Sequence, residues 1–99
     1  MLIVAGRFRV DPDLRDEFIR SREPAMHRSR GETGCLTYVF SADPIETDLV
    51  HLYERWATKE DLAAHLAVNR STPKPSVEIP LLEAEITQFD IASSGPVGS

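Results

Sequence analysis

The sequence predicts an α+β fold, a four-stranded antiparallel sheet with two helices on one face. Three observations predict it. Segments of period-two hydrophobicity alternate with segments of helical period in the order strand, helix, strand, strand, helix, strand. The second and third strand segments are separated only by the acidic turn "DPIETD", which fits a hairpin. The chain has 99 residues, 41% of them hydrophobic and 27% charged, which suits one globular domain with a thin core. A chain of this size buries only roughly 60–65% of the surface its unfolded form exposes.

Residues 2–10 read as the first strand. Leu2, Val4, Phe8 and Val10 share one face with Gly6, while Ile3, Ala5, Arg7 and Arg9 share the other, because side chains alternate along a strand. Gly6 leaves a gap in the apolar face where a side chain or a ligand can approach the backbone. "VDPDLRDEF" is a helix start: Asp11 suits the N-cap, Pro12 the first helical position and Asp13 the positive end of the dipole. Leu14, Phe18, Ile19, Ala25 and Met26 then recur at helical spacing. Pro24 lacks an N–H and crowds the preceding turn, so this helix is expected to kink or end there, with a last turn to about Arg28. "RGETG" is a loop.

Residues 35–42, "CLTYVFSA", form the second strand, with Leu36, Tyr38 and Phe40 on one face. Residues 48–56, "DLVHLYERW", form the third, with Val50, Leu52, Glu54 and Trp56 on one face and His51, Tyr53 and Arg55 on the other. Thr58 caps the second helix, "TKEDLAAHLAVN", with Asp61 three residues on. "RSTPKPSVEIP" carries three prolines and cannot be helical throughout. A last strand, roughly 82–91, alternates too weakly to fix its facing. The order is the split βαβ, ferredoxin-like arrangement. The domain covers residues 1–92 and a flexible tail covers 93–99. The sheet face away from the helices, carrying Ile3, Ala5, Thr37, Val39 and Tyr53 or their opposites, has no helix to cover it, so a homodimer packed sheet to sheet is expected.

Composition narrows the function classes. The net charge is −5, and the densest basic run, Arg20, Arg22, His27, Arg28 and Arg30, lies on a helix also rich in acids. Nucleic acid is therefore not an expected partner. The single cysteine, Cys35, reads as a buried thiol. "MLIVAGRFRV" is too short an apolar run, interrupted at Arg7, for a membrane span or leader, and a cytoplasmic protein is expected. The histidines at 27, 51 and 65 sit on three different elements without metal-ligand spacing, so no metal is expected.

The candidate site residues centre on "LYERWATKEDLAAHL". Trp56 ends the third strand on its apolar face, and its indole N–H needs an acceptor. His65 flanks the Leu62/Leu66 stripe of the second helix, where an imidazole can face a cleft and take a proton near neutral pH. The strand-to-helix turn can bring the two to one cavity. Asn69 and Arg70 follow His65 at the expected cavity mouth, with Met26 and Leu62 as apolar wall. Glu54, between Leu52 and Trp56, is read as a cross-strand pairing residue.

The run "EFIRSREP…GETGCLTYVFSADPIETDLVHLYERWATKEDLAAHL" resembles the antibiotic biosynthesis monooxygenase family. The likeness rests on a Gly-Cys-Leu-x-Tyr strand, an acidic turn, a strand ending Tyr-Glu-x-Trp and a helix with His-Leu; it covers residues 1–70 well and the last strand more loosely. It implies a dimeric α/β barrel with a pocket between sheet and helices. For some members it implies oxygenation of quinols or polyphenols by O2 without metal, flavin or heme, so no cofactor is expected. In that chemistry the phenolate is the reductant, and the protein binds it dry and favours its deprotonation. The resemblance also marks departures. Arg70 stands where quinol-type relatives carry a second histidine, and Leu52 and Leu62 stand where anthrone-type relatives carry Asn and Tyr. Gly6, His65 and Pro75 stand where heme-degrading relatives carry Asn, Trp and the heme-ligating His. The expected function is a cofactor-independent monooxygenase of a small quinol-like or polyphenolic molecule. The alternative is a non-catalytic ligand-binding or regulatory dimer on the same scaffold, since a fold does not fix a function.

Overall fold

The structure, a computed structural model, describes residues 1–74 and 78–98. Pro75, with Ser76 and Val77 of the proline-rich connection, and Ser99 of the tail lie outside the described residues. The elements are β1 (Leu2–Arg9), a 3-10 turn at Pro12–Leu14, α1 (Arg15–Ser21), α2 (Glu23–Arg30), β2 (Cys35–Ala42), β3 (Leu49–Trp56), α3 (Lys59–Ser71) and β4 (Glu83–Asp90). The strands form one antiparallel sheet in the order β2-β3-β1-β4, the ferredoxin-like α+β fold. No helix among the described residues is long and apolar enough to cross a membrane.

The first helical region differs from the expectation at one point. The break comes before Pro24 rather than at it: the Arg22 N–H closes on the Ile19 carbonyl, and a new helix begins at Glu23. Pro24 thereby falls in the first turn of α2, where a missing N–H costs no intrahelical bond. The helix then runs on to Arg30. At its other end the region starts as expected, with the Asp11 carboxylate accepting the Asp13 N–H at 2.9 Å.

Register settles the faces that periodicity left open. Leu2, Val4, Gly6 and Phe8 lie opposite Trp56, Glu54, Leu52 and Val50 on one side and Asp90, Gln88, Ile86 and Ala84 on the other. These residues form the helix-covered face. On β2 a register shift between Cys35 and Thr37 leaves Leu36 unpaired. That bulge turns Leu36 out to 52% exposure, while Tyr38 and Phe40 stay inside. The expected grouping of Leu36 with Tyr38 and Phe40 is therefore wrong by one inserted residue. Beneath α1, the rings of Phe8, Phe18 and Phe40 meet with centroids 6.0–6.2 Å apart, an aromatic knot at the heart of the core. The gap at Gly6 is closed from the flanking strands: a Cβ there would lie 3.2 Å from the Leu52 Cβ and 3.4 Å from Ile86.

Helices α1 and α2 pack over β2, and α3 packs over β3. Strand β4 receives little helix cover, and every one of its residues is exposed. A space is left between the helices above β1 and β4. The loop into β2 is held by Gly34, whose φ of +77° places it in the left-handed region, and whose carbonyl accepts the Ala57 N–H at 2.8 Å. The Asp61 side chain fills the position a Cβ would take. Gly34→Ala is therefore expected to lower the unfolding free energy by at least ~1–2 kcal/mol, measured by urea denaturation. An unchanged midpoint would show that the loop relaxes at no cost.

Candidate active site

The site grows from the two ends of one strand-helix connection. At Thr58 the hydroxyl accepts the Asp61 N–H at 3.1 Å and caps α3. That cap sets the helix phase so that Leu62 and His65 face inward, three residues apart, and Asn69 follows four residues on. Strand β3 delivers Glu54 and Trp56 to the same place. Trp56 is fully buried, and its ring lies on that of His65 with centroids 4.5 Å apart. Tyr38 flanks His65 from β2 at 5.4 Å.

The hydrogen bonds fix the proton positions. Arg28 Nη2 donates to Asn69 Oδ1 at 2.7 Å, so the Asn69 amide nitrogen is the group that faces His65 Nε2 at 3.1 Å. An N–H donor opposite Nε2 requires that nitrogen to be an acceptor. On the other side His65 Nδ1 lies 2.7 Å from Glu32 Oε1, where it carries the proton. The network thus assigns a neutral imidazole protonated on Nδ1 and oriented by a carboxylate. Glu54 Oε1 accepts the Trp56 indole N–H at 2.9 Å and lies 3.8 Å from His65 Nε2. Burial pushes the Glu54 carboxyl above its ordinary value, against the pull of the Trp56 N–H and of nearby His65. Burial also pushes the Tyr38 phenol up to about 12 and raises the Cys35 thiol, which makes that thiol a poor nucleophile.

His65 opens onto a cavity of about 440 Å³ between the helices and the sheet. Its polar wall is Glu54, His65, Asn69, Arg22 and Gln88; its apolar wall includes Phe8, Phe40, Leu62 and Ile86. A mostly apolar chamber with a few converging polar groups is the usual form of a small-molecule site.

The sequence-derived candidates divide. His65, Asn69 and Leu62 line the cavity. Trp56 does not reach it and forms the floor behind His65. Met26, expected in the wall, is buried beneath β2 with its sulfur 3.5 Å from the Phe40 nitrogen. Arg70 is exposed and does not line the cavity, because one residue step beyond Asn69 turns the helix by about 100°. Glu32, Glu54 and Tyr38 were not assigned to the site from sequence. Glu54 had a signal, a carboxylate inside the apolar Leu52–Trp56 stripe. Glu32 had none, since loop residues follow no period.

The sequence pattern of the family described as "Antibiotic biosynthesis monooxygenase" matches residues 1–70. The chain belongs to that family. The solved structure of a candidate antibiotic biosynthesis monooxygenase from Deinococcus radiodurans superposes on this family member with a TM-score of 0.78 at 16% identity, covering 100% of both chains. The heme-degrader MhuD of Mycobacterium tuberculosis, solved with two hemes bound in its active site, superposes with a TM-score of 0.72 at 11% identity, covering 97% of this chain and 100% of its own. At such identities the likeness is one of fold. The uncharacterized protein sll1783 of Synechocystis is 34% identical over 64 residues, 65% of this chain and 44% of that relative. The chain thus spans less than half the length of that curated relative.

For this monooxygenase-family chain, the buried Glu54 yields a stability test. A carboxyl whose folded pKa is raised holds its proton more tightly in the folded state. The stability conferred by neutral Glu54 is therefore present below the unfolded value of 4.5 and lost as pH rises through the folded one. Glu54→Gln keeps an oxygen acceptor for Trp56 and removes the titration. Urea unfolding from about pH 4 to about pH 8 is expected to show the variant gaining on wild type as pH rises. An offset constant with pH would show that folding does not raise the Glu54 pKa.

Proposed function

We propose that the chain is a monooxygenase of an electron-rich hydroxyaromatic, a quinol or polyphenol, bound in the cavity beside His65. The observation that carries this reading is His65 at the cavity wall, with Nδ1 2.7 Å from the Glu32 carboxylate and Nε2 facing the Asn69 amide nitrogen. A substrate hydroxyl replaces the Asn69 amide at Nε2 and gives up its proton there. The amide is then free to donate to the phenolate oxygen. The imidazolium that forms lies against the Glu32 carboxylate at 2.7 Å, an acceptor placed before the charge appears, with Glu54 Oε1 3.8 Å from Nε2. The phenolate supplies the electrons to O2. One oxygen atom adds to the ring and the other leaves as water, so a hydroquinone and O2 give a hydroxyquinone and water. The apolar wall keeps water from the intermediate.

The fold of MhuD raises heme as a guest, and the residues here do not fit it. His65 is 2% exposed with its Nδ1 on Glu32, His51 pairs with Asp43 on the other sheet face, and His27 is outside the cavity lining. No step is routed through heme.

Oxygen uptake with a panel of hydroquinones tests the reading. His65→Ala is expected to lower kcat at least ~100-fold, and Glu32→Gln roughly tenfold, with a pH profile altered in the latter. No uptake by the wild type with any hydroquinone, at full folding, would sink it.

The working unit is proposed to be a homodimer. Ile3, Ala5, Tyr53 and Phe89 lie on the helix-free sheet face, where Tyr53 is 38% and Phe89 48% exposed. An open apolar face on so small a domain favours self-association. Sedimentation is expected to give twice the chain mass, and Tyr53→Glu combined with Phe89→Glu is expected to give the monomer. A monomeric wild type at micromolar concentration would refute the dimer.

A further inference from the structure

Two arginines at the cavity are left over by the proton chemistry. The Arg22 guanidinium lies 4.8 Å from the centroid of Phe18 and 6.0 Å from that of Phe40. It forms no ion pair and no side-chain hydrogen bond among the described residues, and its Nε is buried without a partner. Arg28 gives one Nη2 donor to Asn69, and its Nε is likewise buried and unpaired. Arg22 lines the chamber beside His65, and both arginines line an adjoining outer space of about 720 Å³. Arg22, Tyr38, Phe40 and Asn69 form the common wall of the two spaces.

A buried guanidinium donor without an acceptor is costly, and proteins ordinarily pair it. Among the described residues the two guanidinium groups have no carboxylate partner at this boundary, in a chain of net charge −5, which leaves them to an anionic guest. The acids facing these spaces are Glu54 in the inner wall and Glu78 on the outer rim. Glu54 is taken by Trp56 and held toward its neutral form by burial, and Glu78 pairs with neither arginine. Lys74 adds a further positive charge on the outer rim. The Phe18 ring holds the Arg22 fork by its π face, which leaves the N–H edge for a planar anion.

We infer that the ligand is an anionic hydroxyaromatic whose carboxylate is bound by Arg22, with Arg28 beside it, while its hydroxyl reaches inward to His65. The hydroxyl end rests on the oxygenase reading above; the carboxylate end rests on the arginines alone. A carboxylate accepts two parallel N–H donors from one guanidinium, an arrangement an ester or amide of the same shape cannot match. The ligand is thereby oriented, ionised end outward and reacting ring inward.

Titration of 2,5-dihydroxybenzoate and its methyl ester, followed by calorimetry and by the fluorescence of Trp56, tests this directly. The wild type is expected to bind the acid roughly tenfold or more tightly than the ester. Arg22→Gln is expected to abolish that preference while ester affinity stays within about threefold, and Arg22→Lys to keep part of it. Circular dichroism of each variant guards against misfolding. Equal affinity of wild type for acid and ester, a preference that survives Arg22→Gln in a folded variant, or no binding of either compound overturns the inference. Oxygen uptake with the ester as fast as with the acid would overturn it and leave the oxygenase reading standing. Selective binding of the acid without oxygen uptake would support it and count against the oxygenase reading.

Discussion

A buried imidazole must have both nitrogens satisfied, and the rest of this site is arranged around that requirement. His65 is 2% exposed, so neither nitrogen can rely on bulk water. Three separate elements answer it: the loop after α2 brings Glu32, the helix itself brings Asn69, and β3 brings Glu54 and the Trp56 ring. Arg28 then decides which way the Asn69 amide points. Removal of any member leaves another without a partner, which is how a polar network acquires one arrangement in place of several.

The chamber exists because the layers do not match. Four strands lie beneath helices that crowd toward β2 and β3. The apolar residues of β1 and β4 consequently face a space that no side chain fills. A tighter packing of α3 over β4 would have strengthened a thin core and closed the site. The small domain gives up burial there, and the exposure of Ile86, at 57%, marks where.

Much of the architecture was legible in the sequence, and the failures have physical causes. Element order, the hairpin, the caps at Asp11 and Thr58 and the two faces of β1 and β3 follow from local rules that the structure obeys. The Leu36 bulge did not, because one inserted residue shifts a strand's parity without changing its composition. At the site, the pattern brought out Trp56 and His65 but not Glu32, which reaches His65 from 33 residues away. Glu54 was visible as a carboxylate in an apolar stripe, yet its partner lies two residues along the same strand rather than across it. Arg70 failed by one step of helical phase.

The proposed oxygen chemistry would endanger the walls as well as the guest. Tyr38 lies beside His65 in the same chamber and is itself a phenol, chemically the nearest rival of a hydroxyaromatic ligand. Its burial pushes the hydroxyl up to about 12, which favours the un-ionised form near neutral pH. A phenol surrenders an electron far less readily than a phenolate. On the proposed oxygenase reading, the same burial would leave Tyr38 a bystander beside a phenol deprotonated at His65 Nε2.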